Sequence, residues 1–438
     1  MRSVAVLREP GVGVVTRLWI PLALNWLMMA VEGPLLVGLL GRLPEPTANL
    51  AAFSVAFAIA MFVEAPVMML LSAGAALTRD KLSYERLWRF ATAMNLLLTG
   101  IIVFLALPGV FQVVNGKVWK LPAEVAQRVA GAIGLLIPWP AAIGYRRLWQ
   151  GVLIRQGRSR LVAWGTVLRL VGVGVGAILA LRLFPSWPGV WVAATALSTG
   201  VVTEMLAIRL WAAPYLKRLA LPTVAPYAYP QILRFYFPLL LTSLLNVALT
   251  PLLTTLMARG QLPILSLAAY PAVTHTVFLF SCIGVAYQEV VIVLLGTRVE
   301  RYLLPVARGI AVGTSGALLI TAIPGIHEIW LGRVFALPRE VLPLAHASLL
   351  IAAPMPAIVA YLAYAKGVFI WAHRTRLNLL AAIVELGSVF SLMSIGIWVL
   401  KLVGVYVAIG AVALARGISL LVFLPYARRL MRSQGRAL

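Results

Sequence analysis

Thirteen Asp and Glu residues occur in this chain of 438, and five of them, Glu32, Glu64, Glu204, Glu289 and Glu385, fall inside long apolar stretches. Arg146, Arg147, Arg169 and Arg416 share that setting. An ionised side chain in hydrocarbon costs about 2.5–3.5 kcal/mol on insertion scales, so each must turn toward protein or water and find a partner. Glu32 stands in Glu32-Gly33-Pro34, where the proline removes a helical hydrogen bond and frees a carbonyl beside the carboxylate. With Asn25 nearby, that group can take a proton or Na⁺, which makes Glu32 and Asn25 candidates for ion coupling. The other reading of Glu32 is a neutral, hydrogen-bonded side chain at a packing kink. Glu64 also precedes a proline, in Phe62-Val63-Glu64-Ala65-Pro66, and is either a second coupling group or the partner of a buried arginine.

Guanidinium stays charged and presents a fork that fits carboxylate and phosphate, so Arg169 and Arg416 are candidate anion ligands. Glu204 and Glu385 either line the same site or lock helices by pairing with those arginines. Arg146 is a further candidate. It adjoins Arg147, so the two point about 100° apart on a helix and cannot both face one cavity. Both lie near a span end, where snorkelling to the headgroups is the competing reading. Glu289 sits near another end, and His275 fits a satisfied core histidine better than a proton relay.

The elements that must position these groups are membrane helices. The chain is 62% hydrophobic and 11% charged, against roughly 25% charged in soluble domains. Apolar runs near the roughly 20 residues needed to cross a bilayer fall at about 15–40, 50–77, 87–108, 127–150, 161–183, 188–212, 232–258, 264–296, 303–323, 341–365, 375–399 and 403–425. The fold class is an all-α polytopic membrane protein with twelve transmembrane helices. The first run is too long for a secretory leader and is read as a retained span.

Six of those spans repeat the other six. Residues 106–125, ALPGVFQVVNGKVWKLPAEV, return 216 positions later as AIPGIHEIWLGRVFALPREV. At the same offset Pro138, Pro140, Tyr145, Gly151 and Arg158 return as Pro354, Pro356, Tyr361, Gly367 and Arg374. Arg17, Pro21 and Leu50-Ala51-Ala52-Phe53 return after 217 positions as Arg234, Pro238 and Leu267-Ala268-Ala269-Tyr270. This predicts six-helix lobes at 1–220 and 221–438. An even number of spans returns the chain to its starting side, so the repeats are parallel, an arrangement of transporters whose site lies between the halves. Arg169 and Glu385 occupy equivalent positions with opposite charge, whereas Glu32 matches Leu249 and Glu64 matches Ser281.

Lys and Arg set the orientation. Segments on the N-terminal side of the spans hold 24 of them and the opposite loops nine. That bias places both termini in the cytoplasm, in a cytoplasmic (inner) membrane, with membrane lipids as partners. The net charge of +24 is spread over short loops, so no nucleic-acid partner follows from it. The single cysteine, Cys282, gives no disulfide framework or metal cluster. No Walker motif or nucleophile triad occurs, and Val171–Ala177 (VGVGVGA) lies in a span without lysine, where close helix packing explains it. The expectation is a protein that is not an enzyme and uses no cofactor. Trp19, Trp119 and Trp330 read as interface anchors.

The early proline, the mid-span acid, Gly38–Leu43 (GLLGRL), Leu50–Phe53 (LAAF) and the twice-written connector P-G-x6-G-x4-L-P-x-E-V resemble multidrug and toxic compound extrusion (MATE) transporters, within the multidrug/oligosaccharidyl-lipid/polysaccharide exporter (MOP) superfamily. The stretch AVEGPLLVGLL around Glu32 and the segment from Gly151 to Leu161 look most similar to the progressive ankylosis protein and its bacterial relatives. Typical MATE proteins carry Asp where this chain has Glu32. The resemblance implies a monomeric secondary exporter working by alternating access, coupled to H⁺ or Na⁺, with small organic or phosphorylated anions as substrates. MATE-type efflux of organic cations and flipping of lipid-linked oligosaccharides are the alternatives within the superfamily. The sign of the charge around the site discriminates between anion and cation export.

Overall fold

The computed structural model describes residues 11–156, 158–219, 228–372, 374 and 376–433. Among them ten helices are long and apolar enough to cross a bilayer, from Val12–Arg42 to Gly404–Met431. Two broken helices complete the twelve. Ala123–Leu135 followed by Trp139–Arg155 forms span 4, whose second half carries Arg146, Arg147 and Arg155 and so reads as less apolar. Tyr229–Val247 followed by Leu249–Met257 forms span 7, of which the stretch Ser243–Met257 is apolar. The other spans are numbered in chain order around these.

The repeat persists in the backbone. Pro138 and Pro354 break spans 4 and 10 at the same register, and each is followed by a helix of 17 residues, Trp139–Arg155 and Met355–Trp371. The residue preceding span 2, Glu45, is left-handed at φ 52°, as is Leu262 before span 8 at φ 49°. Lys120 and Ala336, 216 positions apart, share φ 54° and 52° in the connectors.

The helices form two compact units, Leu39–Arg259 and Met1–Gly38 with Gly260–Leu438. These differ from the contiguous lobes 1–220 and 221–438 by an exchange of first spans. Span 7 packs with spans 2 and 3, and span 1 packs with spans 8 and 9. An equivalent hydrogen bond fastens each exchange. Tyr236 Oη donates to the Pro66 carbonyl, and Trp19 Nε1 donates to the Ile283 carbonyl at 3.0 Å. Tyr236 is Trp19 plus 217, and Ile283 is Pro66 plus 217. The bonds land where spans 2 and 8 are broken, so they satisfy carbonyls that a regular helix would use itself.

Small residues bring the spans close. In Leu39–Arg259, Gly151 of span 4 lies against span 2, where a Cβ would meet the Leu71 carbonyl and come within 3.0 Å of Gly74 Cα. Its counterpart Gly367 lies against Val291, whose Cβ would be 2.8 Å away. Backbone cannot yield as a flexible side chain can, so Gly151→Ala should cost about 1–3 kcal/mol through overpacking. Gly100→Ala, with open space at its Cβ, should not lower stability. Thermal melting of the two variants in detergent checks the contrast, and equal melting temperatures would remove this contact from the packing argument. The VGVGVGA run behaves as its composition implies: Gly172 faces Thr203 and Gly200, and Gly176 faces Thr199 and Ala196. Trp119 departs from the belt reading. It is 7% exposed, beside a connector that Asn115 closes through both ends of its amide, to the Leu121 N–H and carbonyl.

Candidate functional site

Within Leu39–Arg259 the buried charges gather around the second helix of span 4. Span 2 is α-helical through Glu64, passes through a 3₁₀ turn at Ala65–Met69 and resumes at Leu70–Leu77. Pro66 causes this, since it has no N–H for the ladder. Ser243 Oγ donates to the Ala65 carbonyl at 2.6 Å. Glu64 is thereby held on the last regular turn, 3% exposed, and accepts from Trp139 Nε1.

Arg146 and Gln150 lie one turn apart on the span 4 helix and both engage Glu204 of span 6. Arg146 forms an ion pair with it, and Gln150 Nε2 donates to Glu204 Oε1 at 3.0 Å. The side chains of Arg146 and Glu204 are 5% and 1% exposed, so Arg146 does not snorkel. Arg147 points from the adjacent face, its Nη2 3.6 Å from Met68 Sδ. The charges of Arg146, Arg169 and Arg147 act on Glu64, and those of Glu204 and Glu64 act on Arg147. Three guanidiniums and two carboxylates of the described residues thus share this cluster. Nε of Arg146, Nε of Arg147 and Oε1 of Gln150 are buried without a hydrogen-bond partner among the described residues. Unmade bonds from buried charged donors are costly, and an incoming anion would supply acceptors. Asn95 rests its amide on Gly144, with neither amide atom bonded among the described residues.

The unit containing Gly260–Leu438 carries a second cluster at the matching place. Arg416 Nε of span 12 donates to Glu385 Oε1 of span 11 at 2.8 Å, with side chains 29% and 13% exposed. The charges of Glu385 and Arg416 both act on Lys366 of span 10. Two cations face one anion here. Sequence reasoning assigned Lys366 to a loop, yet it lies within Met355–Trp371. Its repeat equivalent 216 positions earlier is Gln150, which bonds Glu204, and that equivalence was the available signal.

Glu32 opens the helix Glu32–Arg42 just after a break at Val31 in span 1, and is 7% exposed. Pro34 leaves the Ala30 carbonyl without its helical donor. The ring of His275 from span 8 packs directly on Gly33, where a Cβ would collide with it. A second protonatable group therefore stands one residue from Glu32. The side chains of Asn25 and Asn246 lie outside the described residues, as does His373. Among the described residues no three His, Cys, Asp or Glu side chains gather as metal ligands. Glu289 is exposed.

No protein-family model and no curated protein matches the chain. Solved structures do. An inward-facing multidrug resistance MATE family transporter of the MOP superfamily is similar with a TM-score of 0.70 and 14% identity, over 95% of this chain and 98% of that one. An outward-facing structure of such a transporter gives 0.58 at 14% identity, over 97% and 96%. A MOP superfamily transporter from Pyrococcus furiosus, described as having a binding pocket of reverse polarity that suggests a different function, gives 0.60 at 15% identity, over 97% and 96%. The chain has the twelve-helix, two-repeat fold of MATE transporters.

Proposed function

We propose that this chain is a secondary active exporter of small organic or phosphorylated anions, working by alternating access. The observation that carries this is the guanidinium cluster around span 4, in which Nε of Arg146 and Nε of Arg147 are buried without a hydrogen-bond partner among the described residues. Arg147 holds the anion, while Arg146 is committed to Glu204 and Arg416 to Glu385. Those pairs and the Trp139 bond to Glu64 occupy the carboxylates that an organic cation would need. The reverse polarity of the binding pocket described for the Pyrococcus furiosus transporter, taken there to suggest a different function, is in keeping with this reading. The resemblance to the progressive ankylosis branch points the same way. The excess of Lys and Arg in the segments on the N-terminal side of the spans favours both termini in the cytoplasm, in the inner membrane.

Coupling is assigned to H⁺ at Glu32, because the His275 imidazole packs on Gly33 in the same turn and both side chains can carry a proton. In proteoliposomes loaded with labelled organic anion, an imposed pH gradient should accelerate export by the parent chain. Glu32→Gln should run at the same rate with and without the gradient. A variant that keeps the parental pH response would remove Glu32 from coupling, and a response to Na⁺ alone would replace the proton.

A further inference from the structure

Away from the charge cluster, a cavity of about 370 Å³ in Leu39–Arg259 is lined by Tyr84, Glu85, Trp88, Tyr145, Trp149 and Arg209. It includes none of the cluster residues. Tyr84, Glu85 and Trp88 lie in the opening turns of Lys81–Ala106, and Trp149 and Arg209 near the closing turns of Trp139–Arg155 and Gly189–Lys217. These helix ends belong to one face of the membrane, the face with the basic loops. At 1.5 Å rise per residue the lining sits about 5–12 Å in from those ends, the depth of the headgroup and acyl boundary.

The walls are fixed and chemically mixed. Trp149 Nε1 donates to Tyr84 Oη at 3.0 Å, Tyr145 Oη donates to Thr92 Oγ1 at 3.1 Å, and the rings of Tyr145 and Trp149 stack at 5.5 Å. The Arg209 guanidinium stands 5.2 Å from the Trp149 ring centroid. Trp88 is 39% exposed, and Glu85 makes no ion pair or hydrogen bond among the described residues. Ring faces with a carboxylate beside them attract an organic ammonium, most of all when it is desolvated. A guanidinium in the same lining, here Arg209 over the Trp149 ring, takes phosphate. A belt of interface anchors would need neither an unpaired carboxylate nor an arginine in the same cavity.

We infer that this cavity binds an ammonium–phosphate zwitterion of the phosphocholine or phosphoethanolamine kind, with the ammonium between Trp88, Tyr84 and Glu85 and the phosphate on Arg209. Its depth favours a phospholipid headgroup over a free zwitterion. Titration of the detergent-solubilised full chain with dihexanoyl phosphatidylcholine, dihexanoyl phosphatidylglycerol and free phosphocholine tests this. Phosphatidylcholine should bind saturably and phosphatidylglycerol, lacking the ammonium, about three- to thirtyfold more weakly. Glu85→Gln, which keeps the side-chain shape, and Trp88→Ala should each weaken the phosphatidylcholine complex, and Arg209→Gln should weaken both lipid complexes. Free phosphocholine binding as tightly as the lipid would support the site and identify a soluble ligand. Equal binding of the two lipids, or parental affinity in a Glu85→Gln variant that melts like the parent, would overturn the assignment.

Discussion

Arg146→Ala is expected to destabilise the chain by about 3–5 kcal/mol, because it strips the partner from a carboxylate that cannot reach water. Glu204 is 1% exposed, and its two oxygens are held by Arg146 and by Gln150, both from span 4. After the substitution Gln150 alone remains, a neutral donor facing an ion. Replacing both partners by leucine should recover most of the loss, since no unpaired charge is then left in the interior. Thermal melting in detergent, followed by size-exclusion profile, compares the single and double variants. A single variant that melts with the parent would mean the pair does not lock span 4 to span 6.

Arg147→Gln should do the reverse. Its guanidinium contacts a thioether, Met68 Sδ, and its Nε has no partner among the described residues. Removing a desolvated charge with no carboxylate bound to it should leave the melting temperature unchanged or raise it. Anion affinity should fall about ten- to hundredfold, the range of a hydrogen bond to a charged group. Equilibrium binding of a labelled anion and a melting curve on the same preparation separate the two effects. A lower melting temperature with unchanged affinity would make Arg147 a structural residue.

The contrast between these neighbours marks where sequence stopped being informative. Adjacent arginines on a helix must point in different directions, which was legible. Which of them meets a carboxylate depends on the distance to Glu204, 58 residues away, and no spacing rule supplies that. The duplication was legible in the recurrence of Pro138 as Pro354 and of the connector, while the helix breaks at those prolines and the left-handed Lys120 and Ala336 came from the folded chain. It showed which residues correspond but not what each span packs against. The exchange of spans 1 and 7 therefore emerged from the folded chain, although Trp19 and Tyr236 at one offset held a trace of it. Lys366 was missed because counting basic residues by segment treats a buried cation as loop charge. The glutamate in Glu32-Gly33-Pro34 was readable from the proline. The imidazole laid on Gly33 was not, since His275 is 242 positions further along.

The claim on which the functional account rests is the sign of the charge presented to cargo. Purified chain in proteoliposomes, with a pH gradient imposed, should move labelled tricarboxylate or pyrophosphate and leave a permanently charged organic cation of similar size behind. Movement of the cation with no movement of either anion would contradict the account.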